Sequence, residues 1–262
     1  MEQFSNGLLS HHHSLETLEM INQYDEFLET ITSVADFGCG SGHDINWWSR
    51  LEYIEYTEDA DGNVIGETVR KRNYRCYAVD RDIKQIEAEL LPDTVFVLPG
   101  NIEKNHILSR PVDLVWCHNT FQYFTNPLNT LKLINEQMVE NGMLYIGFPV
   151  QSSHIHNRWY SRGYHYSYFN HNFLSLVYML AVNGFDCRDA YFCKENGNPW
   201  IQACVYKTGH APMDPATISW RDLADKKLLN DTMIESLDKY GHVKQEDLVC
   251  VWLDRSRHYI QD

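Results

Sequence analysis

Apolar and polar positions follow three successive patterns in the first fifty residues. Between residues 14 and 31, apolar side chains recur at intervals of three and four, which predicts an amphipathic helix with Ser14 as its N-cap. Residues 33–37 form a short apolar run that predicts a strand and stops at the glycine-rich segment 38–42. A second helix is predicted over residues 43–51. The predicted order is therefore strand, glycine loop and helix.

A β-hairpin is predicted next in the chain. Residues 53–69 alternate between apolar and polar on both sides of Asp61-Gly62-Asn63, a turn sequence that favours two paired strands. The segment Arg70 to Arg75 follows and is the main basic cluster of the sequence. We interpret it as the solvated base of the hairpin, with an anion-binding role as the alternative.

The middle of the chain alternates between apolar runs and helical periodicity. The pattern predicts strands at 76–79, 95–98, 112–117 and 143–148, with helices at 82–90 and 127–139. The runs at 112–117 and 143–148 are almost uninterrupted, as is typical of parallel strands buried on both faces. Such alternation predicts a doubly wound α/β sheet.

The last third of the chain predicts a different connection. A helix over 171–182 precedes apolar runs at 185–194 and 200–207, and the turn between these runs is too short for a parallel crossover. The two runs must therefore be antiparallel. From Thr208 the sequence becomes polar, and residues 219–240 predict a helix that ends at Gly241.

These elements give the predicted fold class and domain organisation. We expect an α/β, doubly wound, seven-stranded and mostly parallel sheet with an antiparallel last strand. An N-terminal helical cap covers residues 1–32, the core 33–207, and a helical C-terminal extension 208–262, which is a candidate surface for self-association. Within the core, residues 52–75 form the hairpin insertion and 151–171 the substrate loop.

Composition excludes several classes of protein. The formal net charge is −14, while 44% of the residues are hydrophobic, so the chain is not disordered and duplex nucleic acid is an unfavourable main partner. The seven cysteines lack a CxxC pair, no secretory leader is evident, and no apolar stretch approaches about 18 residues. We therefore expect a cytoplasmic protein that does not cross a membrane.

The most informative motif combines a glycine loop with two acids. Asp36 ends the first strand, glycines follow at 38, 40 and 42, and Asp80 ends the second core strand. Alternate glycines let a ligand approach the backbone, and an acid at the next strand end can accept from two ribose hydroxyls. Neither the Gly-x-Gly-x-x-Gly pattern nor the Walker loop is present. The motif thus indicates a nucleoside site.

In these motifs the chain resembles the class I S-adenosylmethionine-dependent methyltransferases over roughly residues 30 to 207. The family's further motifs occur in order, at Cys76 to Asp80, Gly100 to Glu103, Asp113 to Asn119 and Asn141 to Ile146. The resemblance implies S-adenosyl-L-methionine as cofactor. Asn101 departs from the family, in which an acid is common at this position, but its carbonyl can still accept from the adenine amine.

The resemblance also implies roles for individual residues. The methionine end of the cofactor is assigned to Asp36, Gly38, Cys39, Gly40, Ser41 and Gly42. The ribose is assigned to Asp80 with neighbouring Arg81, the adenine to Asn101 and Ile102, and the region of the methyl group to His118 and Asn119. A structural alternative for Asp36 is to cap the start of the following segment.

The loop 151–171 is the predicted acceptor pocket, since it leaves the same edge of the sheet. Together with His118, its residues His154 and His165 are the candidate catalytic bases, and Arg158, Tyr160, Arg162 and Tyr164 are the candidate substrate contacts. Each loop histidine can equally be a packed or solvated residue. The histidines lack a Cys or acid partner at ligand spacing, so no metal site is expected.

The expected reaction is in-line transfer of the methyl group to an oxygen or nitrogen of a small metabolite or sugar. It needs the nucleophile at about 3 to 3.5 Å in a dry pocket, and a base only for a hydroxyl or protonated amine. Two alternatives stay open at this point. One is methylation of RNA or protein with Arg70 to Arg75 as the docking strip, and the other is a binding module that has lost catalysis.

Overall fold

The computed structural model describes residues 25–149 except 88 and 90, together with residues 173–194 and 200–243. The strands are β1 Ser33–Phe37, β2 Glu52–Glu58, β3 Val64–Lys71, β4 Arg75–Asp80, β5 Val95–Pro99, β6 Val112–His118, β7 Met138–Pro149, β8 Phe185–Lys194 and β9 Trp200–Lys207. The α-helices are α1 Asp25–Thr30, α2 His43–Ser49, α3 Pro127–Glu136, α4 Phe173–Val182, α5 Trp220–Asp225 and α6 Asp231–Tyr240. Short 3-10 helices span Ile83–Gln85 and Phe121–Tyr123.

The predicted seven-stranded sheet is confirmed. Its strands lie in the order β5-β4-β1-β6-β7-β9-β8. The first five pair in parallel, while β9 runs antiparallel to both of its neighbours, β7 and β8. The strand order reverses at β1, which pairs with β4 on one side and with β6 on the other. In open α/β sheets this reversal opens a crevice at the carboxyl ends of the strands.

Apolar side chains cover both faces of the sheet. One core contains Phe37, Val115 and Leu144 and continues under α3, α4 and the C-terminal helices. The second core, on the other face, contains Trp48 of α2 packed against Trp116, with α1 beside it. Burial on both faces explains why the central strands have uninterrupted apolar sequences. Among the described residues, no helix has both the length and the apolar character needed to cross a bilayer.

The predicted hairpin is confirmed and forms a separate two-stranded sheet. Asp59 accepts hydrogen bonds from Asn63 across the turn, and Gly62 has a φ of 82°. Its base lies at the amino edge of the main sheet, because the amide of Arg72 donates to the carbonyl of Leu51 and Arg75 pairs with the first residue of β1. The basic cluster at this base is thus at the opposite edge from the glycine loop.

The helix predicted over residues 82–90 is wrong. Residues Ile83–Gln85 form a 3-10 turn instead, with the side chain of Asp82 accepting from the amide of Lys84. Ile86 is already extended, with a ψ of 124°. The amide of Glu87 donates to the carbonyl of Ser41 at 3.1 Å. This tertiary hydrogen bond uses an amide that a continuing helix would need, so the local helical periodicity is overridden.

The single helix predicted over residues 219–240 is also wrong, because the structure has α5 and α6 there. Lys227 takes a φ of 57°, and the carbonyl of Leu228 accepts from the amide of Cys187 in β8. This break buries Leu228 and Leu229 in the core. Asn230 then caps α6 by accepting from the amide of Met233, and Gly241 ends the helix as predicted.

Two further boundaries differ from the predictions. Helix α3 ends at Glu136 rather than at 139, because Met138 already pairs with Val112 as the first residue of β7. The ammonium group of Lys207 donates to the carbonyls of Asn135 and Met138, at 2.7 and 2.8 Å. These bonds satisfy carbonyls at the helix end, which favours termination there. For the helix predicted over 14–31, only α1 lies within the described residues.

Candidate functional site

The glycine loop lies at the carboxyl end of β1, in the crevice where the strand order reverses. Gly38, Gly40 and Gly42 have positive φ values of 80°, 53° and 91°. Gly38 is packed tightly, since a Cβ built there would overlap Thr120. Gly40 differs, because a Cβ there would meet no atom of the described residues within 4 Å. The loop therefore offers a half-buried backbone at Gly40 with open space above it among the described residues, as close approach by a ligand requires.

Asp80 ties the loop to the end of β4. Its Oδ2 accepts from the amide of Gly40 at 3.1 Å, and its Oδ1 accepts from the amide of Asp82 at 2.8 Å. Each carboxylate oxygen has a second lone pair for a further donor. The carboxylate of the half-buried Asp80 is thus brought to the glycine loop, as the spacing predicted, while neighbouring Arg81 is exposed. The ribose contact itself stays a prediction for both residues.

Asp36 is buried behind the loop, with 2% of its surface exposed. It accepts a hydrogen bond from the backbone of Ile45 in the first turn of α2. This is the kind of contact that the structural alternative for Asp36 requires. Burial raises the pKa of this carboxyl well above its ordinary value, and the negative charges of Asp44 and Asp80 raise it further. A contact of Asp36 with the methionine end stays a prediction.

Cys39 and Ser41 shape the loop through their backbones. The carbonyl of Cys39 accepts from the amide of Gly42 at 2.8 Å, and the carbonyl of Ser41 accepts from Glu87. The Cys39 thiol is buried, and burial raises its pKa far above the ordinary value, with further contributions from Asp36 and Asp80. The thiol is therefore neutral and no nucleophile.

The predicted adenine turn is tied to β4. The amide of Gly100 donates to the carbonyl of Asp80 at 3.0 Å, which places the turn beside the end of that strand. The side chain of Asn101 folds back, with Oδ1 accepting from the amide of Glu103 at 3.0 Å. Ile102 is buried with 6% exposure and packs in the core. Asn101 thus has its second lone pair and its amino group for a ligand, and the adenine role stays a prediction.

His118 is a buried histidine at the end of β6, with 5% of its surface exposed. Its Nδ1 lies 3.0 Å from the hydroxyl of Tyr145, and the two rings are nearly parallel. Tyr145 also stacks on Trp116 with 3.7 Å between ring centroids. A Cβ at Gly147 would overlap the Tyr145 hydroxyl and come within 2.7 Å of Nδ1 of His118. The pair thus depends on a glycine in the next strand.

Asn119 and Thr120 close the crevice across the strand reversal. Asn119 has a left-handed φ of 52°, and its amide donates to the carbonyl of Gly147 at 2.6 Å. The hydroxyl of Thr120 donates to the carbonyl of Gly38 at 3.1 Å. The ends of β1, β6 and β7 are therefore joined at one edge, and the predicted cluster of Asp80, the glycine loop and Asn119 is brought together there.

Sequence reasoning missed several residues that build this edge. Asp44 accepts from the indole N–H of Trp116 at 2.8 Å, and both side chains are buried. Tyr145, Thr120 and Gln122 contact predicted site residues directly. Tyr145 alone could have been found from the sequence, because it is a polar residue inside an apolar run. The contacts of the other residues depend on which chain segments meet in space.

The predicted acceptor loop 151–171 lies entirely outside the described residues. The candidate residues on this loop are His154, Arg158, Tyr160, Arg162, Tyr164 and His165. Their catalytic and substrate roles stay predictions. Among the residues that the structure does describe, no group of three or more His, Cys, Asp or Glu side chains is placed to hold a metal ion.

The sheet order, the antiparallel β9 and the glycine loop at the strand reversal define the class I, Rossmann-like methyltransferase fold. Neither a family model nor a curated protein sequence matches the chain. The chain does match solved structures.

Three solved structures illustrate the likeness. Magnesium protoporphyrin IX methyltransferase from Synechocystis PCC 6803, with bound S-adenosylhomocysteine, has a TM-score of 0.53 at 12% identity, covering 79% of this chain and 90% of its own. A chain from the complex of the Haloferax volcanii Trm112 methyltransferase activator with a methyltransferase has 0.50 at 13%, covering 78% and 96%. The methyltransferase domain of bacterial CtHen1 has 0.50 at 12%, covering 74% and 96%. At such identities the likeness shows the fold.

Proposed function

We propose that the protein is an S-adenosyl-L-methionine-dependent methyltransferase that acts on an oxygen or nitrogen of a small molecule. The observation that carries this proposal is the cradle at the end of β1. It combines open space above Gly40 with the carboxylate of Asp80 hydrogen-bonded to the same glycine. This pairing of bare backbone and a carboxylate suits a nucleoside with two ribose hydroxyls.

The residues present fit the chemical groups of this cofactor. Asp80 would hold the ribose, and the turn at Asn101 and Ile102 would contact the adenine. The acidic side chains of Asp44 and Asp80 around the loop would favour the ammonium and sulfonium charges of the methionine end. When bound, the cofactor supplies a methyl group already activated on a positive sulfur, so the protein mainly has to position the acceptor and exclude water.

His118 is the described candidate for a base. Its Nδ1 is held by Tyr145 and its Nε2 is buried. The ring therefore has one orientation, which a base needs for directed proton transfer. The role of His118 depends on its tautomer. If the Tyr145 hydroxyl donates to Nδ1, the ring proton is on Nε2. If the hydroxyl accepts from Nδ1, then Nε2 carries no proton and can act as the base.

A small acceptor is favoured over a macromolecule by three observations. The alternative docking strip at Arg70 to Arg75 begins at the amino edge of the sheet, away from the loop. Its charges also have local partners, since Arg70 binds Glu55 at 3.0 Å and Arg72 lies over the ring of Tyr53. The Synechocystis neighbour is named for a porphyrin acceptor, which is a small molecule.

Isothermal titration calorimetry with S-adenosylmethionine and S-adenosylhomocysteine tests the cofactor. We expect binding to the native chain and a loss of about 5- to 150-fold for Asp80→Ala, from lost ribose hydrogen bonds worth about 1 to 3 kcal/mol. Asp113→Ala is the matched control. This carboxylate lies at the amino ends of β1 and β6, where it accepts from Thr32 and Ser33, and its loss should leave affinity unchanged.

Turnover separates an enzyme from an inactive binding module. The protein is incubated with S-adenosylmethionine and sets of hydroxyl- and amine-bearing metabolites, and released S-adenosylhomocysteine is measured. Release with any acceptor excludes the inactive module, whereas absence of cofactor binding would contradict the proposed function altogether. Binding to RNA with a steep salt dependence would favour the macromolecular alternative.

A further inference from the structure

Gln122 is a buried amide beside the crevice, with 1% of its surface exposed. It lies on the 3-10 turn Phe121–Tyr123 that follows β6. Its Nε2 donates to the backbone carbonyl of Asn119 at 3.0 Å and to the side-chain Oδ1 of Asn119 at 2.7 Å. One amino group thus binds two oxygens of the same residue.

These two contacts fix which end of each amide faces the other. A backbone carbonyl can only accept, so the end of Gln122 that lies against it must be Nε2. The end of the Asn119 side chain that faces the same Nε2 must then be Oδ1. The Nδ2 group of Asn119 therefore points away from Gln122, and within the described part of the chain it has no protein acceptor.

Burial of Gln122 has a cost that its packing does not explain. Its Oε1 is buried without a hydrogen-bond partner among the described residues, and an unsatisfied buried oxygen is destabilising. An apolar side chain of similar length would avoid this cost. Compared with such an apolar side chain, Gln122 therefore offers one advantage, which is its hydrogen-bond donor group.

Asn119 lies at the crevice. The backbone amide of Asn119 is bound to Gly147, and the next residue, Thr120, is bound to Gly38 of the glycine loop. The loop side of the crevice is rich in carboxylates, namely Asp36, Asp44 and Asp80. A carboxylate of a ligand in these surroundings needs N–H donors to offset the repulsion.

We infer that Gln122 is a positioning residue, which turns the amide of Asn119 so that Nδ2 donates to the α-carboxylate at the methionine end of the bound cofactor. The inference rests on the proposed function, because it assumes that this cofactor occupies the crevice. It goes beyond that function by naming the residue that determines which end of the Asn119 amide faces the ligand.

Exchanging Gln122 for glutamate should reverse the orientation of the Asn119 amide. In Gln122→Glu the side chain keeps its size but can no longer donate when ionised. Asn119 should then turn its Nδ2 toward the new carboxylate and present Oδ1 to the ligand. For a ligand with a carboxylate, the attractive contact with Nδ2 of Asn119 is then replaced by a repulsive contact with Oδ1. The affinity for a ligand without a carboxylate should not change. Gln122→Met removes the donor without adding charge.

Calorimetry with two ligands tests the inference. S-adenosylhomocysteine carries the amino-acid end, whereas 5′-methylthioadenosine has the same nucleoside without it. We expect Gln122→Glu to weaken S-adenosylhomocysteine about tenfold or more and 5′-methylthioadenosine less than about twofold. Gln122→Met should weaken S-adenosylhomocysteine about threefold without lowering the melting temperature, since it also removes the unsatisfied oxygen.

The control is the same exchange in an Asn119→Ala background, where Gln122→Glu should cause no further loss of S-adenosylhomocysteine affinity. Equal weakening of both ligands, or unchanged affinity for both, would overturn the inference, because either result gives Gln122 no role through the carboxylate. Melting curves report folding, and Gln122→Met decides the question if the glutamate variant does not fold. Failure of the native chain to bind either ligand would instead overturn the proposed function, and this inference with it.

Discussion

Gly40 and Gly62 have similar backbone conformations in two unrelated places, which makes them a matched pair for mutation. Their φ values are 53° and 82°, and at both positions a Cβ would meet no atom within 4 Å in the part of the chain that the structure describes. Gly40 lies in the cradle at the end of β1, while Gly62 lies in the hairpin turn. Alanine at either position therefore introduces the same kind of backbone strain without a clash.

The cost to stability should be similar for the two variants. A left-handed backbone costs a residue with a Cβ about 1 to 2 kcal/mol. For a chain of this size each kcal/mol lowers the melting temperature by about 2 to 4 °C. We therefore expect Gly40→Ala and Gly62→Ala to melt about 2 to 8 °C below the native protein when no ligand is present.

The two variants should differ when ligand is added. At about 100 times its Kd, S-adenosylhomocysteine should stabilise the native protein and Gly62→Ala by about 2.7 kcal/mol. The methyl group of Gly40→Ala occupies space that the ligand needs, so we expect affinity to fall about tenfold or more. The same ligand concentration then gives about 1.4 kcal/mol, roughly half the increase in melting temperature.

Thermal melts with and without ligand, followed by calorimetry, measure both effects. An equal ligand-induced increase in Gly40→Ala and Gly62→Ala would refute the reasoning, because it would mean that the open space above Gly40 does not receive the ligand. A large loss of stability in Gly40→Ala alone would also contradict it, since the structure shows no atom for the new methyl group to displace.

Three titratable side chains give further predictions. Burial raises the pKa of Asp113, but the hydrogen bonds that its carboxylate accepts have the larger combined effect and lower the pKa. The stabilising contribution of Asp113 should therefore be present above about pH 4 and be lost as pH falls through the lowered pKa. Asp36 should behave in the opposite sense, since burial, Asp44 and Asp80 raise its pKa: its contribution is present below about pH 4 and is lost as pH rises through the raised value. Urea melts from pH 3 to 7 measure both, and Asp36→Asn should be at least as stable as the native chain at pH 7. Burial raises the pKa of the Cys39 thiol, so iodoacetamide at pH 8 should modify it only after unfolding, as mass spectrometry of the peptide that contains Cys39 will show.

Local sequence patterns predicted the elements whose stability is local or follows from burial on both faces. The apolar run 112–117 and the turn Asp61-Gly62-Asn63 gave a strand and a hairpin that the structure confirms. The predictions failed where a distant segment competes for backbone groups. The carbonyl of Ser41 takes the amide of Glu87, and β8 takes the carbonyl of Leu228. Helical periodicity carries no information about such contacts.

By itself, the sequence determined the glycine loop, the acids at the ends of two strands and the alternation that yields the doubly wound sheet. These features depend on residue type and on spacing within one segment. The tertiary structure alone decided how the polar groups are used. Asp36 faces the start of α2, Tyr145 binds His118 across two strands, and Gln122 orients Asn119. Burial and hydrogen-bond geometry set these partners, and both exist only once the strands and their connecting turns are packed together.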